Sequence, residues 1–326
     1  YEILKGLTWL TKAGLRYSST DSKAQMPLIP VYNYFTSRFE QYADNRGTID
    51  LTQQISQSTY KTLYSTLNYH FSLGQGHTFD ILGGISQEDL TDKNIEGFRR
   101  GFASALLDVL SAGPTLGQTN AAGMSEYRLR SFFGRLNYSY KDKYLLEGVI
   151  RRDGSSRFVD DNSYGTFPSL SVGWRISEEN FMKENVSILS NLKLSASYGE
   201  LGNDAVGNYP YQSTLNLGSN YYFESFYPGV SRSALANRLI MWEATKAYNL
   251  KLDFDLVRSL LYGSFEVYNK KTEGILRISQ LPGYAGLGAP FVNEGIVHNK
   301  GYEFVLGHRG ESGGLTYSVD VNLASF

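Results

Sequence analysis

The segment SFFGRLNYSYKDKYLLEGVIRRDGSSRFVDDNSYGTFPSLSVGWRIS, residues 131–177, contains three alternating strands joined by one tight turn and one polar loop. Its apolar side chains recur at every second position: Phe132, Leu136, Tyr138, Tyr140, Tyr144, Leu146, Ile150, Leu170, Val172, Trp174 and Ile176. Polar side chains occupy positions between them: Arg135, Asn137, Ser139, Glu147, Arg151, Ser169, Ser171 and Arg175. A period of two is typical of a strand with different surroundings on its two faces. The segment is therefore predicted to form part of the wall of a membrane β-barrel.

The alternation returns in six further segments: 55–72, 79–85, 248–256, 261–267, 302–308 and 315–323. It is clearest over 248–256, where apolar residues alternate with Asn249, Lys251, Asp253 and Asp255. A soluble β-sandwich does not usually carry so many regularly spaced charges on one wide sheet. Counting along the chain gives about eleven strands, and bacterial single-chain barrels have even strand numbers. The sequence predicts an all-β, antiparallel transmembrane β-barrel of which 1–326 is only a part.

The connections between the predicted strands fall into two sets. Short turns are expected near 73–76, 141–143, 257–259 and 309–314. Long polar segments are expected near 19–47, 87–125, 153–165, 202–239 and 274–297, with an intermediate connection near 178–191. Outer-membrane barrels have this asymmetry, with short periplasmic turns and long extracellular loops. Within one long loop, FASALLDVL at 102–110 predicts a short helix, for which loop packing is favoured over substrate contact.

The composition agrees with a β-rich membrane protein. The 326 residues include 25 Tyr, 18 Phe and 33 Gly, a bias toward strands, turns and interfacial belts. The net charge of −1 provides no global field for nucleic acid. No cysteine is present, which excludes disulfides and thiolate metal sites. There is no apolar run of about 18 residues, so a membrane interpretation requires strands. The chain begins at Tyr1 and ends within an alternating run, which predicts an internal portion of a longer protein.

No catalytic, cofactor or metal site is recognisable in the sequence. The four histidines are scattered: His70, His77, His298 and His308. The segment 153–157, DGSSR, combines an acid, hydroxyls and a base, but a turn explains it better. Three glycines within 283–288 are expected in a loop and form no dinucleotide fingerprint. Asp160, Asp161 and Asp204 offer oxygens to a hard cation, although solvated loop carboxylates are the favoured interpretation.

The loop 202–239 is rich in aromatic and amide side chains. Its candidate ligand contacts are Tyr221, Tyr222, Phe223 and Tyr227. Aromatic rings of this kind stack on sugar rings or grip peptide backbones, and anchoring at the membrane interface is an equally good interpretation.

Several motifs resemble one family in the expected order. They are YEILKGLTWLTKAGLRYSS at the start, RRDGSSRF, FPSLSVGWRISEENFM, LKLSASYGELGN, and then WEATKAYNLKLDFDL, EVYNKKTEGIL and NEGIVHNKGYEF at 242–256, 266–276 and 293–304. This series is similar to the barrel of the SusC/RagA family of TonB-linked outer-membrane transporters. The resemblance covers most of 1–18 and 131–326, whereas 19–125 has little signature.

The resemblance implies a 22-stranded barrel around an N-terminal plug, covered by a SusD-like surface lipoprotein. It also implies energy supplied through TonB, which contacts a segment before the plug. Neither plug nor TonB-contacting segment is visible, so 1–326 is expected to be a partial barrel domain with long extracellular loops. The family imports oligosaccharides or peptides. The implied location is the outer membrane of a Gram-negative, Bacteroidetes-like bacterium, which the chain crosses many times.

Polar residues on the inward positions of the strands are expected to line the lumen: Arg135, Asn137, Glu147, Arg151, Lys251, Asp253 and Asp255. They would face plug, water or substrate, and packing against the plug is the favoured role for most of them. A charge on the lipid face would cost about 2–4 kcal/mol at the midplane, so the alternation fixes which face is which.

Three functions are compared on these grounds. The leading hypothesis is a nutrient importer that performs no covalent chemistry and uses no cofactor. The alternative is a structural or adhesive surface β-protein without transport activity. An outer-membrane enzyme is a third, for which no Ser-His pairing is visible in the sequence.

Overall fold

The computed structural model describes residues 2–43, 47–257 and 259–326, with all their side chains except those of Asp160, Ser219, Asn220 and Ser312. The strands are β1 (Glu2–Leu4), β2 (Leu7–Met26), β3 (Pro30–Tyr32), β4 (Phe39–Tyr42), β5 (Asp50–Leu73), β6 (His77–Arg100), β7 (Thr119–Tyr140), β8 (Tyr144–Ser155), β9 (Tyr164–Arg175), β10 (Leu189–Asn203), β11 (Leu215–Phe223), β12 (Ser225–Arg232), β13 (Glu243–Leu256), β14 (Leu261–Glu273), β15 (Leu276–Ile278), β16 (Phe291–Asn293), β17 (Ile296–Ser312) and β18 (Leu315–Ser325). The helical segments are α1 (Asn180–Asn185) and the 3-10 turns Leu110–Ala112, Asp160–Ser163, Ile176–Glu178 and Gly283–Ala285. No helix in the described ranges is long and apolar enough to cross a membrane.

Twelve of these strands hydrogen-bond in one sheet, in the order β1-β2-β5-β6-β7-β8-β9-β10-β13-β14-β17-β18. The other six form three hairpins, β3–β4, β11–β12 and β15–β16. The all-β prediction is confirmed. The count of about eleven strands is not, because the described sheet contains twelve, including the three-residue β1. No pairing between β1 and β18 closes a barrel in the described part of the chain.

The chain divides into two compact units. The first unit comprises Tyr1–Lys12, Leu63–Gln87 and Arg128–Phe326, and the second comprises Ala13–Thr62 and Glu88–Tyr127.

Strand register sorts the side chains of the first unit onto two faces. Directly paired residues of adjacent strands lie on the same side of a sheet, so one row of pairs can be followed from β7 to β17. On one side, the apolar face, this row is Tyr138, Leu146, Val172, Ala196, Leu250, Val267 and Tyr302. On the other side, the polar face, the row is Asn137, Glu147, Ser171, Ser197, Asn249, Tyr268 and Gly301. The predicted alternation therefore persists in register across neighbouring strands.

Large side chains of the apolar face are open to the surroundings. Leu170 is 50% exposed and Leu250 is 47% exposed. An apolar surface of this extent is not stable in water and is typical of a lipid-facing wall.

The short turns between neighbouring strands form at the positions that the sequence predicts. Between β7 and β8 the turn is 141–143, with Lys141 and Asp142 at positive φ. The turn near 257–259 also forms, with Val257 and Ser259 at positive φ, while Arg258 lies outside the described residues. The last turn is shorter than predicted. Ser312 pairs with Leu315, so only Gly313 and Gly314, both at positive φ, connect β17 and β18. Two consecutive left-handed residues suit a two-residue hairpin turn.

The long connections contain more strand than the sequence predicts. Much of 87–125 belongs to β6 and β7, which have 24 and 22 residues. Hairpins β3–β4, β11–β12 and β15–β16 lie within the segments 19–47, 202–239 and 274–297. The helix predicted at 102–110 is wrong: only the 3-10 turn Leu110–Ala112 forms. Nine residues are too few to stabilise an isolated helix, and Phe102 is instead buried against the backbone of Gly113.

A small hydrophobic core holds the loops of the first unit together. Phe158, Val206 and Ile240 are buried, and Trp242, Leu276 and Phe291 pack against them. The Trp242 indole also donates a hydrogen bond to the Ser163 carbonyl oxygen at 3.2 Å. The loops after β8, β10 and β12 are therefore tied to the start of β13.

Candidate functional site

The seven predicted lumen-lining residues all lie on the polar face. Register pairs Asn137 with Glu147, and it pairs Lys251 with Ser195. The same parity places the other four there: Arg135, Arg151, Asp253 and Asp255. Their contacts divide them into separate groups on this face, so they form a lining and not one compact cluster.

The first group centres on Asp80 of β6. The Arg135 guanidinium lies 3.5 Å from Asp80 Oδ1, and Asn68 donates a hydrogen bond to Asp80 Oδ2 at 3.1 Å. His70 Nδ1 lies 3.8 Å from the same carboxylate. The sequence prediction missed Asp80, although its position between outward-facing Phe79 and Ile81 in the alternation indicates the polar face.

The second group centres on Arg151 of β8. Its Nε donates to both carboxylate oxygens of Asp153 at 2.8 Å, and its Nη2 donates to Ser131 Oγ at 2.8 Å. The guanidinium also lies over the Phe133 ring, 5.8 Å from its centroid. Ser131 is 1% exposed and Asp153 is buried. Arg151 is thus held on three sides by its own sheet.

The turn predicted over 153–157 is only partly correct, because β8 continues to Ser155. Beyond it, the Ser155 hydroxyl donates to Asp204 Oδ2 at 2.7 Å, and Arg157 Nη1 lies 3.3 Å from Asp204 Oδ1. Arg157 Nε donates to Asn208 Oδ1 at 3.3 Å. These contacts explain the DGSSR motif as a clamp between two loops.

The third group lies on β13 and its neighbours. The Lys251 ammonium is 2.9 Å from Asp253 Oδ1, and Asn249 donates to Ser197 Oγ at 3.2 Å. Asp255 pairs in register with Tyr262 of β14.

A recess of about 350 Å³ opens on the polar face toward the short turns. Its polar lining includes Asn137, Ser139, Glu147, Ser171, Lys193 and Ser195. It exists because several neighbouring strands carry serine or glycine at this level, which leaves space above the sheet. The sequence prediction missed Lys193 and Ser195; their alternation with Leu192, Leu194 and Ala196 is the signal that would have identified them.

The second unit contains its own polar recess of about 520 Å³. Its lining is dominated by small polar side chains, including Ser18, Thr20, Ser56, Ser58, Asn94 and Ser125. In the same unit, Arg16 lies over the Tyr60 ring at 5.1 Å, and the Tyr60 hydroxyl donates to Glu88 at 2.6 Å. This recess was not predicted: Ser56 and Ser58 lie in the predicted strand 55–72, but Asn94 and Ser125 lie in the segment 87–125, which was expected to be a loop.

The candidate aromatic residues of the loop lie on the hairpin β11–β12. Tyr221 pairs with Tyr227, and Phe223 shares their face with its ring 6.3 Å from that of Tyr227. Tyr222 lies on the opposite face, where it meets Phe226 at 5.4 Å in an edge-on arrangement. All five rings are more than half exposed. The hairpin therefore presents aromatic rings on both sides, and the sequence prediction omitted Phe226.

The connection between β9 and β10 holds a carboxylate at the short-turn end of the sheet. Glu179 accepts hydrogen bonds from the Tyr144 hydroxyl at 2.7 Å, the Trp174 indole at 3.2 Å and the Lys143 ammonium at 3.1 Å. These three donors lower the pKa of Glu179 below its ordinary value. The pKa of Glu178 is lowered in the same way, mainly by the hydrogen bond from Lys183.

The described residues contain no group of three or more histidines or carboxylates arranged to hold a metal ion. Asp204, a candidate cation ligand, is bound by Ser155 and Arg157. Asp161 is exposed, and the side chain of Asp160 lies outside the described residues.

Comparison with known proteins gives consistent relatives. TonB-dependent receptor P26 of Formosa agariphila is 34% identical over 245 residues, covering 74% of this chain and 24% of that protein. TonB-dependent receptor SusC of Bacteroides thetaiotaomicron is 39% identical over 183 residues, covering 55% of this chain and 18% of SusC. The solved RagAB peptide transporter superposes with a TM-score of 0.82 at 25% identity, covering 98% of this chain and 35% of that one.

The chain thus spans about a quarter of the length of its first relative and about a third of the RagAB chain. The family described as TonB dependent receptor-like, beta-barrel matches residues 1–326. The resemblance of this chain to SusC and RagA, first indicated by the ordered motifs, is confirmed. The chain belongs to the β-barrel domain family of the TonB-dependent receptors.

Proposed function

We propose that this protein imports oligosaccharides or peptides across the outer membrane of a Gram-negative, Bacteroidetes-like bacterium. The observation that carries the proposal is the register of the first unit. One face of the sheet is apolar and exposed along the row from Tyr138 to Tyr302, and the other carries charges and hydrogen-bonding groups. A wall of this kind separates lipid from an aqueous lumen. A soluble adhesive β-protein would expose the same apolar face to water.

The polar face lines the proposed lumen. Arg135 and Lys251 already form ion pairs with Asp80 and Asp253 on their own sheet. Charge-assisted hydrogen bonds of this kind can exchange partners with a plug, water or cargo. The serine-rich recess beside Lys193 provides room for a side chain from such a plug.

The aromatic hairpin β11–β12 is the proposed contact for cargo or for a partner above the barrel. Its exposed rings, including Tyr222 and Phe223, suit stacking on sugars or packing on a peptide backbone. The partner we propose is a SusD-like surface lipoprotein, and the energy source is TonB. The RagAB relative is described as a peptide transporter, which supports a peptide as one cargo class.

Uptake of labelled cargo tests the proposal. Cells lacking the gene and complemented with it would be given labelled oligosaccharide and peptide pools, with and without TonB. We expect TonB-dependent accumulation of one pool. Complementation with the Lys251→Ala/Asp253→Ala double variant should reduce uptake, whereas Leu252→Ala, on the apolar face between them, should not. Absence of uptake and binding for both pools, even with the lipoprotein partner present, would overturn the proposal.

A further inference from the structure

Arg130 and Arg152 lie on the apolar face. Register pairs Arg130 with Gly154, and it pairs Arg152 with Phe132 on one side and Thr166 on the other. These positions share the parity of the lipid-facing residues, not that of the polar face. A cation on this face is costly at the membrane midplane, and the cost becomes small near the interface. The arginines are therefore expected near a membrane boundary.

The length of the neighbouring strand gives the position of Arg152 along the membrane normal. Along β9, the apolar face runs from Trp174 at the short-turn end to Tyr164 at the other end. The ten residue-to-residue steps between them span about 33 Å along the strand, or about 25 Å across a bilayer at a typical strand tilt of about 40°, which matches the usual apolar band. The Arg152 guanidinium lies over the Tyr164 ring at 5.1 Å. Arg152 is thus at the boundary opposite the short turns.

The guanidiniums of the two faces have different partners. On the polar face and its loops, Arg135, Arg151 and Arg157 each meet an aspartate. On the apolar face, Arg130 donates to the neutral Gln87 side chain at 3.1 and 3.3 Å, and Arg152 meets only the ring of Tyr164 among the described residues. Arg130 and Arg152 are both exposed. Their charges therefore have no compensating carboxylate in the described part of the chain.

Two cavities adjoin at Arg130 and together form a groove. One cavity of about 240 Å³ is lined by Leu63, Ile85 and Phe132 together with Ser86, Gln87 and Arg130. A second cavity of about 260 Å³ is lined by Arg130 together with Arg128, Ser156 and Tyr164. The first is mainly apolar. It lies toward the membrane centre, because Phe132 is closer than Arg130 to the short turn at 141–143. The second combines the two arginine side chains with serines and with the apolar side chains of Leu129 and Phe158, and it lies toward the outer boundary.

We propose that this groove binds a phosphorylated lipid of the outer leaflet. The acyl chain lies along Leu63, Ile85 and Phe132, and the phosphate receives hydrogen bonds from Arg130 and Arg152. Guanidinium groups suit phosphate because their planar forks donate two parallel hydrogen bonds. Charge complementarity selects the headgroup, since neither Arg130 nor Arg152 meets a carboxylate among the described residues. The inference rests on the proposed membrane orientation but not on the identity of the cargo.

Native mass spectrometry of the purified protein in phosphatidylcholine nanodiscs tests the inference. Bisphosphorylated lipid A, or its dephosphorylated form, is added in trace amounts, and the fraction of protein that carries it is measured. We expect the wild type to prefer the phosphorylated lipid, and the Arg130→Gln/Arg152→Gln variant to bind it about thirtyfold more weakly. The control variant Arg38→Gln/Arg232→Gln removes the same charge from exposed positions away from the groove and should bind like the wild type.

Two further comparisons keep the result unambiguous. The Arg130→Lys/Arg152→Lys variant keeps both charges and should retain most of the lipid binding. Retained binding would show that the glutamine variant loses binding through its lost charges and not through misfolding. Inorganic phosphate in large excess should not displace the lipid. Equal retention by wild type and the glutamine variant, equal retention of the dephosphorylated lipid, or displacement by phosphate alone would overturn the inference. Cargo uptake by cells that produce the same variants separates failure of lipid binding from failure of the importer proposal.

Discussion

Replacing Asp153 with alanine should destabilise the first unit more than any comparable change on the polar face. The carboxylate of Asp153 accepts from Arg151 Nε through both oxygens at 2.8 Å. The same guanidinium donates to the buried Ser131 hydroxyl at 2.8 Å. Removing the carboxylate leaves a cation beside a buried hydroxyl and without its counter-charge.

The magnitude follows from the exposure of the pair. Breaking a fully buried ion pair costs about 3–5 kcal/mol, whereas an exposed pair contributes about 0–1 kcal/mol. The Asp153 side chain is 12% exposed and that of Arg151 is 43% exposed, so the guanidinium can partly recover water. We therefore expect a loss of about 2 kcal/mol in the free energy of unfolding for Asp153→Ala.

The matched control is the pair Lys251 and Asp253, which has the same spacing of two residues on the polar face. It has one ammonium contact at 2.9 Å, and its side chains are 39% and 28% exposed. Asp253→Ala should therefore cost at most about 1 kcal/mol.

The assay is urea unfolding in detergent micelles, followed by tryptophan fluorescence. A double-mutant cycle with Arg151→Met isolates the interaction between Arg151 and Asp153. A coupling energy indistinguishable from zero, or equal losses for Asp153→Ala and Asp253→Ala, would refute the assignment of Arg151 as a clamped residue.

Three other predictions test the faces, the short-turn end and the loop. Leu250→Lys should destabilise the inserted protein by about 2–4 kcal/mol, because it places a charge on the lipid face. The adjacent Asn249→Lys should be nearly neutral in the same unfolding assay, and equal effects would contradict the face assignment. The lowered pKa of Glu179 gives a stabilisation that is fully present above its ordinary value of 4.5 and is lost as pH falls through the lowered pKa. Glu179→Gln should therefore flatten the acid limb of the stability profile, and an unchanged limb would contradict the three-donor geometry. Tyr221→Ala/Tyr227→Ala, which removes a cross-strand pair of exposed rings, should weaken cargo or lipoprotein binding measured by calorimetry without changing the unfolding free energy by more than about 1 kcal/mol. Unchanged binding would remove these rings from the proposed contact.

The alternating strands were predictable because different surroundings on the two faces of a sheet impose a period of two on each strand. Residues 131–177 show the pattern fully, and β7, β8 and β9 form there with the turn at 141–143. The pattern disappears beyond the apolar band. The outer part of β6, with the sequence QEDLTDKNIEGFRR, has polar residues on both faces, because both faces meet water there. Ladder hydrogen bonds keep it extended, and they leave no periodic signal in one strand.

The face of each candidate polar residue was predictable, but its partner was not. Parity places Arg135 and Arg151 on the polar face without any tertiary information. Their partners Asp80 and Ser131 lie 55 and 20 positions away in the sequence, and only the register brings them together. The recess beside Lys193 is harder still, since it arises from side chains that are small, and small residues give no positive signal of the space that they leave.

The arginines show why parity and height have to be considered together. Arg151 and Arg152 are consecutive, yet one is clamped by Asp153 on the polar face and the other lies over Tyr164 on the apolar face. From sequence, the pair is a single basic motif in RRDGSSRF. In the sheet, the first cation is neutralised by the protein, and the second stands at the membrane boundary without a carboxylate in the described residues. A charge left uncompensated on a lipid-facing surface requires a counter-charge from its surroundings, and at this height the lipid headgroup is the nearest source.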